Sequence, residues 1–447
     1  MHRSYQEVCH WLNEISAPQR GSILVLEFFQ VDNIQLQAFF LRGKYLNFIY
    51  SRVTLPGKFL QPYTRSLNSP ISSKTYTMKK LIPLVLALVL YSYICHSQGC
   101  ISARSLVGFG QFVIPQSGED PVKWVVNLNT RYFTSYKNYR GTEYLPQAPE
   151  DRRINHIFVS DVSITRMFDK GWSLSLDLPY TSASRSSYGE HDSHDTNKTI
   201  HTTHATGLSD IRVAMYKWMW DVTTYHKGNI QLGLGVKLPT GNYHAEDYFY
   251  KKHNDPTKTV VAPVNLSTQL GDGGTGFTVE VNSFFTLGKS ISLYGNFFYL
   301  ISPKDQNGVS TMWGETLATA ETSQDSVAYN NAVISGQNVM SVPDAFTFRL
   351  GANYTSNRFI YSAGFRMEGQ PVHDLIGGDN GLRRSGSIIS VEPGINYNVK
   401  NSMIFAYVPI AIYRNSKQIA PDETLGVQST GGFADYLIFV GVLFKLQ

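Results

Sequence analysis

Apolar and polar residues alternate in many short segments beyond the first quarter of the chain. The clearest segment is Trp172–Leu178, where every second residue is apolar and the residues between are Ser, Ser and Asp. Ile230–Leu238 and Phe346–Tyr354 repeat the pattern. Because successive side chains of a β-strand point to opposite faces, each segment predicts a strand with one apolar and one polar face.

About twelve such segments follow one another, each close to the length that a tilted strand needs to cross a bilayer. They are Val122–Thr134, Arg152–Phe168, Trp172–Ser182, Leu208–Trp220, Asn229–Leu238, Gly276–Leu287, Ile291–Ile301, Ala345–Thr355, Phe359–Glu368, Ser387–Val399, Met403–Tyr413 and Tyr436–Leu446. An even number of strands is typical of bacterial single-chain outer-membrane barrels. A soluble sandwich shows the same alternation, so the segments alone do not decide between the two.

The links between the segments decide it, because short and long links alternate. The short ones are residues 169–171, 221–228, 288–290, 356–358 and 400–402, and the long ones are 135–151, 183–207, 239–275, 302–344, 369–386 and 414–435. Outer-membrane barrels have short periplasmic turns and long external loops. The chain is therefore predicted to be an all-β, transmembrane, antiparallel up-and-down β-barrel in the cell outer membrane, with the ends of the mature chain in the periplasm.

A secretory signal is predicted at residues 78–97. Met78 is followed by two lysines, the apolar run Leu81–Leu90 and a small residue at Ser97, the three parts of a signal peptide. The apolar run is shorter than the roughly 20 residues of a spanning helix. A buried helix or a signal anchor is the alternative.

The signal divides the chain into four parts. Residues 1–77 would precede it, and we expect them to be an upstream extension or disordered rather than a domain. Residues 98–121 would form a periplasmic N-terminal segment, followed by the barrel at 122–447. Cys100 follows Ser97-Gln98-Gly99, a loose lipobox, so lipidation of this cysteine is an alternative.

Composition excludes several classes of function. Charged residues make up only 16% of the chain, below the roughly 25% of soluble proteins. The formal charge of +5 is dispersed, so we expect no nucleic-acid partner. All three cysteines lie at or before Cys100, so the predicted barrel has no disulfide and no thiolate metal site. No cofactor is expected.

The position of each charge along its strand predicts which charges face the lumen. With the apolar set facing lipid, the interior receives Arg131, Asp161, Asp177, Asp210, Arg212, Lys237, Glu280, Arg349, Arg366, Glu368 and Glu392. A buried unpaired charge is costly, so these groups could form an ion-pair network that fixes strand register. They could also line a polar conduit whose field selects solutes. The two interpretations are compatible.

Aromatic residues lie in or near the strands, several at their ends, and most of them are predicted to form interfacial girdles, with stacking on an aromatic substrate as the alternative. They are Tyr132, Trp172, Tyr180, Trp218, Trp220 and Tyr407.

The predicted external loop after the third strand is rich in histidine. Its residues His191, His194, His201 and His204 include two pairs with i, i+3 spacing, and three acids lie nearby. These are ligand types for a borderline divalent cation. No defined zinc motif is present, so a hydrated surface loop is the alternative.

Three short stretches carry a family resemblance: Gly207–Ile211 (GLSDI), Gly233–Gly241 (GLGVKLPTG) and Glu392–Tyr397 (EPGINY). Together they resemble the outer-membrane family named after the phenol meta-cleavage (MetA) pathway, whose members are regarded as transporters of the aromatic-hydrocarbon type. The resemblance extends in layout over most of residues 107–447, and KLPTG is its most specific part. It implies a transport barrel without catalytic residues. The histidine-rich loop lies outside the family pattern.

These observations favour a non-enzymatic passive transporter or channel for a small, hydrophobic or aromatic molecule. The long link 302–344 could fold inward as a plug. Outer-membrane lipid and the machinery that assembles outer-membrane barrels are the expected partners. A lipase- or protease-like barrel enzyme is one alternative, but His156 and His373 show no Ser or acid partner in the sequence. A surface adhesion or metal-collecting protein is the other.

Overall fold

The computed structural model describes residues 24–31, 34–40, 48–49, 122–191, 197–221, 224–250, 259–313, 323–426, 428 and 430–447. The chain divides into two compact units, Met1–Val85 and Leu86–Gln447. In the first unit, Leu24–Val31, Ile34–Phe40 and Phe48–Ile49 pair as a three-stranded antiparallel sheet. The expectation that residues 1–77 are not a domain stays a prediction. The predicted signal peptide, Cys100 and segment 98–121 lie outside the described residues.

The second unit contains a closed antiparallel β-barrel of twelve strands. The strands are β1 Trp124–Arg140, β2 Ile154–Met167, β3 Trp172–Ser187, β4 His201–Leu208 with Arg212–Trp218, β5 Gly228–Lys237, β6 Gly276–Thr286, β7 Ile291–Ile301, β8 Ala345–Ser356, β9 Phe359–Gln370, β10 Gly386–Val399, β11 Ser402–Tyr407 with Ile410–Ser416, and β12 Gly431–Leu446. Each strand pairs with the next, and β12 pairs with β1 from Gly431↔Tyr139 to Leu446↔Trp124. The predicted fold class is confirmed.

The outward face of the barrel is apolar and the inward face is polar. On β3 the outward residues Trp172, Leu174 and Leu176 are exposed, while the residues between them, Ser173, Ser175 and Asp177, are buried. A monomeric soluble protein does not expose an apolar surface of this extent. Every backbone group of a closed barrel is paired along its wall, which is what a bilayer requires. The barrel is therefore of the outer-membrane type.

Tight turns join the strands at one end. Lys170, Asn357 and Lys400 have φ values of 59°, 53° and 47°, the left-handed region that such turns require. The predicted short links at these positions are confirmed. At the other end the loops carry short pairs of strands, Glu246–Phe249 with Val260–Pro263 and Gln306–Ser310 with Val339–Ser341.

The remaining elements are short. Glu143–Leu145 pairs with the end of β1, α1 spans Ser323–Ser335 and α2 spans Ala420–Leu425. Single 3-10 turns occupy Pro149–Asp151 and Asp169–Gly171. Within the described ranges, no helix is long and apolar enough to cross a bilayer.

The strands around the histidine-rich loop are longer than predicted. β3 continues to Ser187 and β4 begins at His201, so the predicted link 183–207 shrinks to 188–200. The sequence prediction was wrong here because the outward residues are Ser, Thr and His rather than apolar residues, which removes the alternation of polarity.

Two strands are interrupted near the middle of the barrel wall. β4 breaks at residues 209–211, and its pairing with β3 shifts by one residue there. β11 breaks at 408–409, where Pro409 has no N–H to donate. The neighbouring Val408 still donates its N–H to Pro393 O at 3.0 Å.

Candidate functional site

A cavity of about 110 Å³ lies inside the barrel beneath the external loops. Its wall residues come from β1 to β9 and include Phe133, Ile157, Val159, Phe298 and Leu300. Two loops form its roof, 264–274 and the ends of 302–344. The described ends of the long link 302–344 therefore line the cavity, and the expectation that this link plugs the barrel stays a prediction.

Roof and wall are joined at Lys237, near the outer end of β5. Its Nζ lies 3.1 Å from Asp210 Oδ2 on β4, 2.5 Å from Asp272 Oδ1 and 2.7 Å from Gly274 O in the roof. Asp210 also accepts the N–H of Gly241 at 3.0 Å. One buried ammonium thus connects two strands of the wall to the roof.

The second loop is attached to the same part of the roof. Lys304 donates from Nζ to Gly273 O at 2.8 Å, and Asn307 donates from Nδ2 to Asp272 O at 3.0 Å. Asp344 at the far end of that loop accepts N–H groups from Ser302 at 2.7 Å and Leu375 at 2.9 Å. Burial raises the pKa of Asp344. Described parts of the three long loops after β5, β7 and β9 are therefore joined to one another by hydrogen bonds.

Several polar groups on the cavity wall form hydrogen bonds within the protein. Gln269 accepts from Ala245 N and donates to Ala245 O and Val264 O. The hydroxyls of Thr181 and Ser209 bond each other at 2.7 Å. The surface left for a guest is consequently dominated by apolar groups.

The charges of the cavity wall are balanced. Three cationic and three anionic residues line it, namely Arg131, Arg212, Lys237, Asp161, Asp210 and Asp272. A charged guest would lose its hydration without meeting a surplus of opposite charge, which is unfavourable. The electrostatics of the cavity favour a neutral guest.

A buried charged cluster, which we name the floor cluster, separates this cavity from the periplasmic half of the lumen. It consists of Asp177, Arg212, Tyr216 and Glu280. Arg212 Nη2 lies 2.7 Å from Asp177 Oδ2, and Nη1 pairs with Glu280. The Tyr216 hydroxyl donates to Glu280 Oε2 at 3.1 Å. Arg212 lines the upper cavity, whereas Tyr216 lines a smaller cavity of about 20 Å³ below it.

A second buried charged cluster, the wall cluster, lies on β8, β9 and β10. It consists of Arg349, Arg366, Glu368 and Glu392. Arg349 Nη2 lies 2.6 Å from Glu392 Oε1, and Arg366 Nη2 lies 2.7 Å from Glu368 Oε2. Arg366 Nη1 lies 3.6 Å from Glu392 Oε2 and joins the two pairs. This cluster lines neither cavity.

All eleven residues predicted to face the lumen are buried on the inner side. Five of them line the upper cavity: Arg131, Asp161, Asp210, Arg212 and Lys237. The other six pair in the floor and wall clusters. Their roles in selecting a solute stay a prediction.

The structure does not bring the predicted metal-binding histidines together, because His201 and His204 lie on opposite faces of one strand. His201 and His204 lie on β4, not in a loop, and three residues apart on a strand they face opposite sides. His191 and His201 approach within 5.2 Å between ring centroids. The Nδ1 atom of His191 accepts the Tyr250 N–H at 3.3 Å, so a neutral His191 carries its proton on Nε2. His194 lies outside the described residues, and no metal-binding group is found among the described ones.

The buried Glu190 beside these histidines pairs with Arg185. Arg185 Nε donates to Glu190 Oε2 at 2.7 Å and Nη1 donates to Asn155 Oδ1 at 2.7 Å. Burial acts to raise the pKa of Glu190, but the Arg185 guanidinium outweighs it and holds that pKa below its ordinary value. The start of the histidine-rich loop is thus fixed to the inner wall.

Two of the six girdle predictions are wrong. Trp218 and Tyr407 are buried on the inner face, whereas Tyr132, Trp172, Tyr180 and Trp220 are exposed. The polarity pattern could not place Trp218 and Tyr407 on the inner face, because their inward positions depend on neighbours from other strands. Trp218 packs against the ring of Phe284. Tyr407 packs over Gly394.

His373 has an acid partner that the sequence did not reveal. Its Nδ1 lies 2.6 Å from Asp379 Oδ2 in the exposed loop after β9. His156 contacts the hydroxyls of Tyr132 and Thr134 on the outer face, each at 3.0 Å. In the part of the chain that the structure describes, no serine hydroxyl bonds either ring.

Two of the three stretches that carry the family resemblance, Gly207–Ile211 and Gly233–Gly241, meet at the junction of wall and roof, whereas Glu392–Tyr397 lies on β10. The hydroxyl of Thr240 accepts the Ile211 N–H at 2.8 Å and donates to Ser209 O at 3.2 Å. An ideal Cβ on Gly241 would lie 2.7 Å from Leu270 O. These residues are structural, as the resemblance implies.

The sequence matches no protein-family model and no curated protein. Solved structures of outer-membrane barrels are similar in fold. An outer-membrane channel from Pseudomonas putida F1 gives a TM-score of 0.46 at 10% identity, covering 74% of this chain and 98% of that one. The CymD monoaromatic hydrocarbon channel gives 0.35 at 7%, covering 78% and 95%. The translocator domain of autotransporter NalP from Neisseria meningitidis gives 0.38 at 8%, covering 73% and 90%. Likenesses this distant do not indicate what the chain carries.

Proposed function

We propose that this protein is a passive outer-membrane transporter for a small, neutral and largely apolar molecule, and that it belongs to the family that its three motifs resemble. The observation that carries the proposal is the roofed cavity, with its balanced charges, its internally bonded polar groups and its apolar walls. A dry cavity of about 150 Å³ lined by apolar side chains is known to hold benzene. The cavity here suits a guest of similar or slightly smaller size.

Passage requires two openings. The roof must separate from the wall at Lys237, and the floor cluster must open between Arg212 and Tyr216. Both barriers consist of side chains and loops rather than of barrel backbone, so the wall can stay intact while a molecule passes. Because no step needs a catalytic group, transport down a concentration gradient is sufficient.

Uptake by cells with and without the protein tests this proposal. Three radiolabelled probes share one benzene ring and a similar size and differ in the charge of the substituent: toluene is neutral, benzoate is an anion and benzylamine is a cation. We expect the protein to accelerate the initial uptake of toluene and to leave the two ions near the rate of control cells. Equal acceleration of all three probes, or of none, would contradict the proposal.

A roof variant links the uptake to the cavity. Lys237→Met removes the ammonium that joins Asp210, Asp272 and Gly274, and we expect uptake to increase. Lys227→Met is the matched control, because Lys227 is exposed in a periplasmic turn. A Lys237→Met rate equal to that of the control would exclude the roof as the outer barrier.

A further inference from the structure

The outer surface of β1 to β4 changes character beyond the apolar band. On β3 the outward residues from Trp172 to Tyr180 are apolar or aromatic, and the next three are Ser182, Ser184 and Ser186. The polar outward residues of the four strands form one continuous surface, which we name the hydroxyl face: Thr134, His156, Ser182, Ser184, Ser186, Thr202, His204 and Thr206.

The registers align these residues in rows across the strands. Thr134 pairs with His156, His156 with Ser184, and Ser184 with His204, so one polar row crosses all four strands. Neighbouring strands are about 4.8 Å apart. The row therefore presents donors and acceptors at regular intervals.

Hydrogen bonds between side chains hold the face in a fixed arrangement. Ser182 bonds Thr206 at 3.1 Å, and Ser186 bonds Thr202 at 2.9 Å. The rings of Tyr132 and His156 stack with an interplanar angle of 12°. A flat pair of rings next to ordered hydroxyls can both pack against the apolar side of a sugar and bond its hydroxyls.

The free edge of β4 continues this surface with exposed apolar groups. His204 N donates to Asp247 Oδ2 at 2.7 Å, which places segment Glu246–Phe249 beside β4. Tyr248 on that segment is 59% exposed, and its cross-strand partner Val261 is 55% exposed. Exposing aromatic and apolar side chains such as these to bulk water is unfavourable, so the surface is suited to a partner that offers both apolar and hydroxyl groups.

We propose that the hydroxyl face binds the saccharide headgroups of lipopolysaccharide in the outer leaflet. The face directly continues the lipid-facing band beyond Tyr180 towards the external loops, which is the level of the headgroups. Its eight residues include no lysine or arginine, so the recognised chemistry is that of neutral sugar hydroxyls rather than of phosphate. This interaction surface is separate from the transport path inside the barrel.

Native mass spectrometry of the purified barrel tests the proposal with three probes: rough lipopolysaccharide that carries the core saccharide, deep-rough lipopolysaccharide that lacks most of it, and phosphatidylglycerol. We expect the core-bearing probe to bind about tenfold more tightly than the other two, since several neutral hydrogen bonds each contribute a factor of about 2 to 10. The triple variant Ser182→Val, Ser184→Val, Thr206→Val should lose that preference. Valine suits an outward strand position, so the barrel should still form.

The matched control removes hydroxyls from the apolar band instead. Thr130→Val with Ser160→Val should bind all three probes as the unmodified protein does. Equal binding of core-bearing and deep-rough probes by the unmodified protein would overturn the proposal, and so would equally tight binding of phosphatidylglycerol, which indicates anionic lipid recognition. An unchanged preference in the triple variant would also overturn it. If the triple variant does not fold, Ser184→Val alone should reduce the preference, and toluene uptake should be unaffected in either case.

Discussion

The two charged clusters inside the barrel are built from the same residue types but occupy different positions. The floor cluster contains one arginine with two carboxylates, and it lies between the upper cavity at Arg212 and the lower cavity at Tyr216. The wall cluster contains two arginines with two carboxylates and borders neither cavity. We therefore propose two uses for charge in the lumen: the wall cluster would hold strands in register, and the floor cluster would also close the path.

The contrast predicts different consequences for variants of the two clusters. A change in the wall cluster should reduce stability without changing uptake. A change in the floor cluster should affect both.

Arg349→Leu in the wall cluster should have the largest effect on stability. It removes the guanidinium 2.6 Å from Glu392 and leaves that buried carboxylate with Arg366 at 3.6 Å. Breaking a buried pair from one side costs about 3–5 kcal/mol. The free energy of unfolding, measured by urea titration in detergent micelles, should fall by that amount, while the uptake of toluene per folded barrel should not change.

Arg358→Leu is the matched control, since Arg358 is exposed in the turn that joins β8 to β9. It should leave the free energy of unfolding within about 0.5 kcal/mol of the unmodified protein. Faster uptake by Arg349→Leu would show that the wall cluster also closes a path, and the contrast between the clusters would be lost.

Substitution of two glycines that lie next to aromatic rings should lower the free energy of unfolding by an intermediate amount. An ideal Cβ on Gly394 would overlap the ring of Tyr407, and one on Gly233 would lie 2.5 Å from the ring of Tyr216. Overpacking typically costs about 1–3 kcal/mol, so Gly394→Ala and Gly233→Ala should both lower the free energy of unfolding by that much. Gly288→Ala has open space around it and should be neutral.

The same pair separates packing from transport. Gly233→Ala displaces Tyr216, which lies between the two cavities, so its uptake rate should change. Gly394→Ala displaces Tyr407, which lines neither cavity, so its uptake rate should stay the same. Identical uptake rates in the two variants would argue against Tyr216 as part of the barrier.

Two tyrosine hydroxyls give a smaller and cleaner comparison. Tyr216 donates to Glu280 Oε2 at 3.1 Å, and Tyr407 donates to Asn396 Oδ1 at 2.7 Å. Tyr216→Phe and Tyr407→Phe should each cost about 1 kcal/mol, the usual contribution of one buried hydrogen bond. Uptake should increase only in Tyr216→Phe, and an increase in both would contradict the assignment of the floor cluster as the inner barrier.

Much of the fold could be predicted because each feature depends on local sequence. Alternation of polar and apolar residues determines which side chains of a strand face the lumen, and short links rich in Asn, Lys and Gly determine where hairpins form. The same alternation was sufficient to place Arg349 and Glu392 on the inner side. Where outward residues become Ser and Thr, as at Ser182–Ser186, the alternation disappears and the outer end of the strand was missed.

The candidate site could not be predicted because it depends on contacts between distant segments. Nothing near Lys237 in the sequence indicates that it bonds Asp272, thirty-five residues away. The acid partner of His373 was missed for a similar reason, since Asp379 reaches it through a loop of irregular conformation. The KLPTG stretch carries the family resemblance, but nothing in it indicates that Thr240 and Gly241 contact the wall and the roof.

A third charged pair lies outside the barrel wall, in the loop after β9. Arg383 bonds Asp374 through both nitrogens at 2.9 Å in the loop after β9, and the Asp344 N–H donates to the same carboxylate at 2.9 Å. Burial raises the pKa of Asp374 to about 6 despite this arginine.

This pKa should make the loop more stable at low pH. The folded loop binds the Asp374 proton more tightly than the unfolded chain does, so the stabilisation is complete below the ordinary value of 3.8 and is lost as the pH rises towards 6. Asp344 shifts in the same direction, whereas hydrogen bonding by His373 holds the pKa of Asp379 below its ordinary value, outside this range. Because a loop can open without unfolding the barrel, the effect should be local and the smallest of the series. After correction for protease activity, limited proteolysis within 371–385 should be slower at pH 5 than at pH 7. Asp374→Asn should remove this difference. If the variant keeps the full pH dependence, a group other than Asp374 is responsible for it.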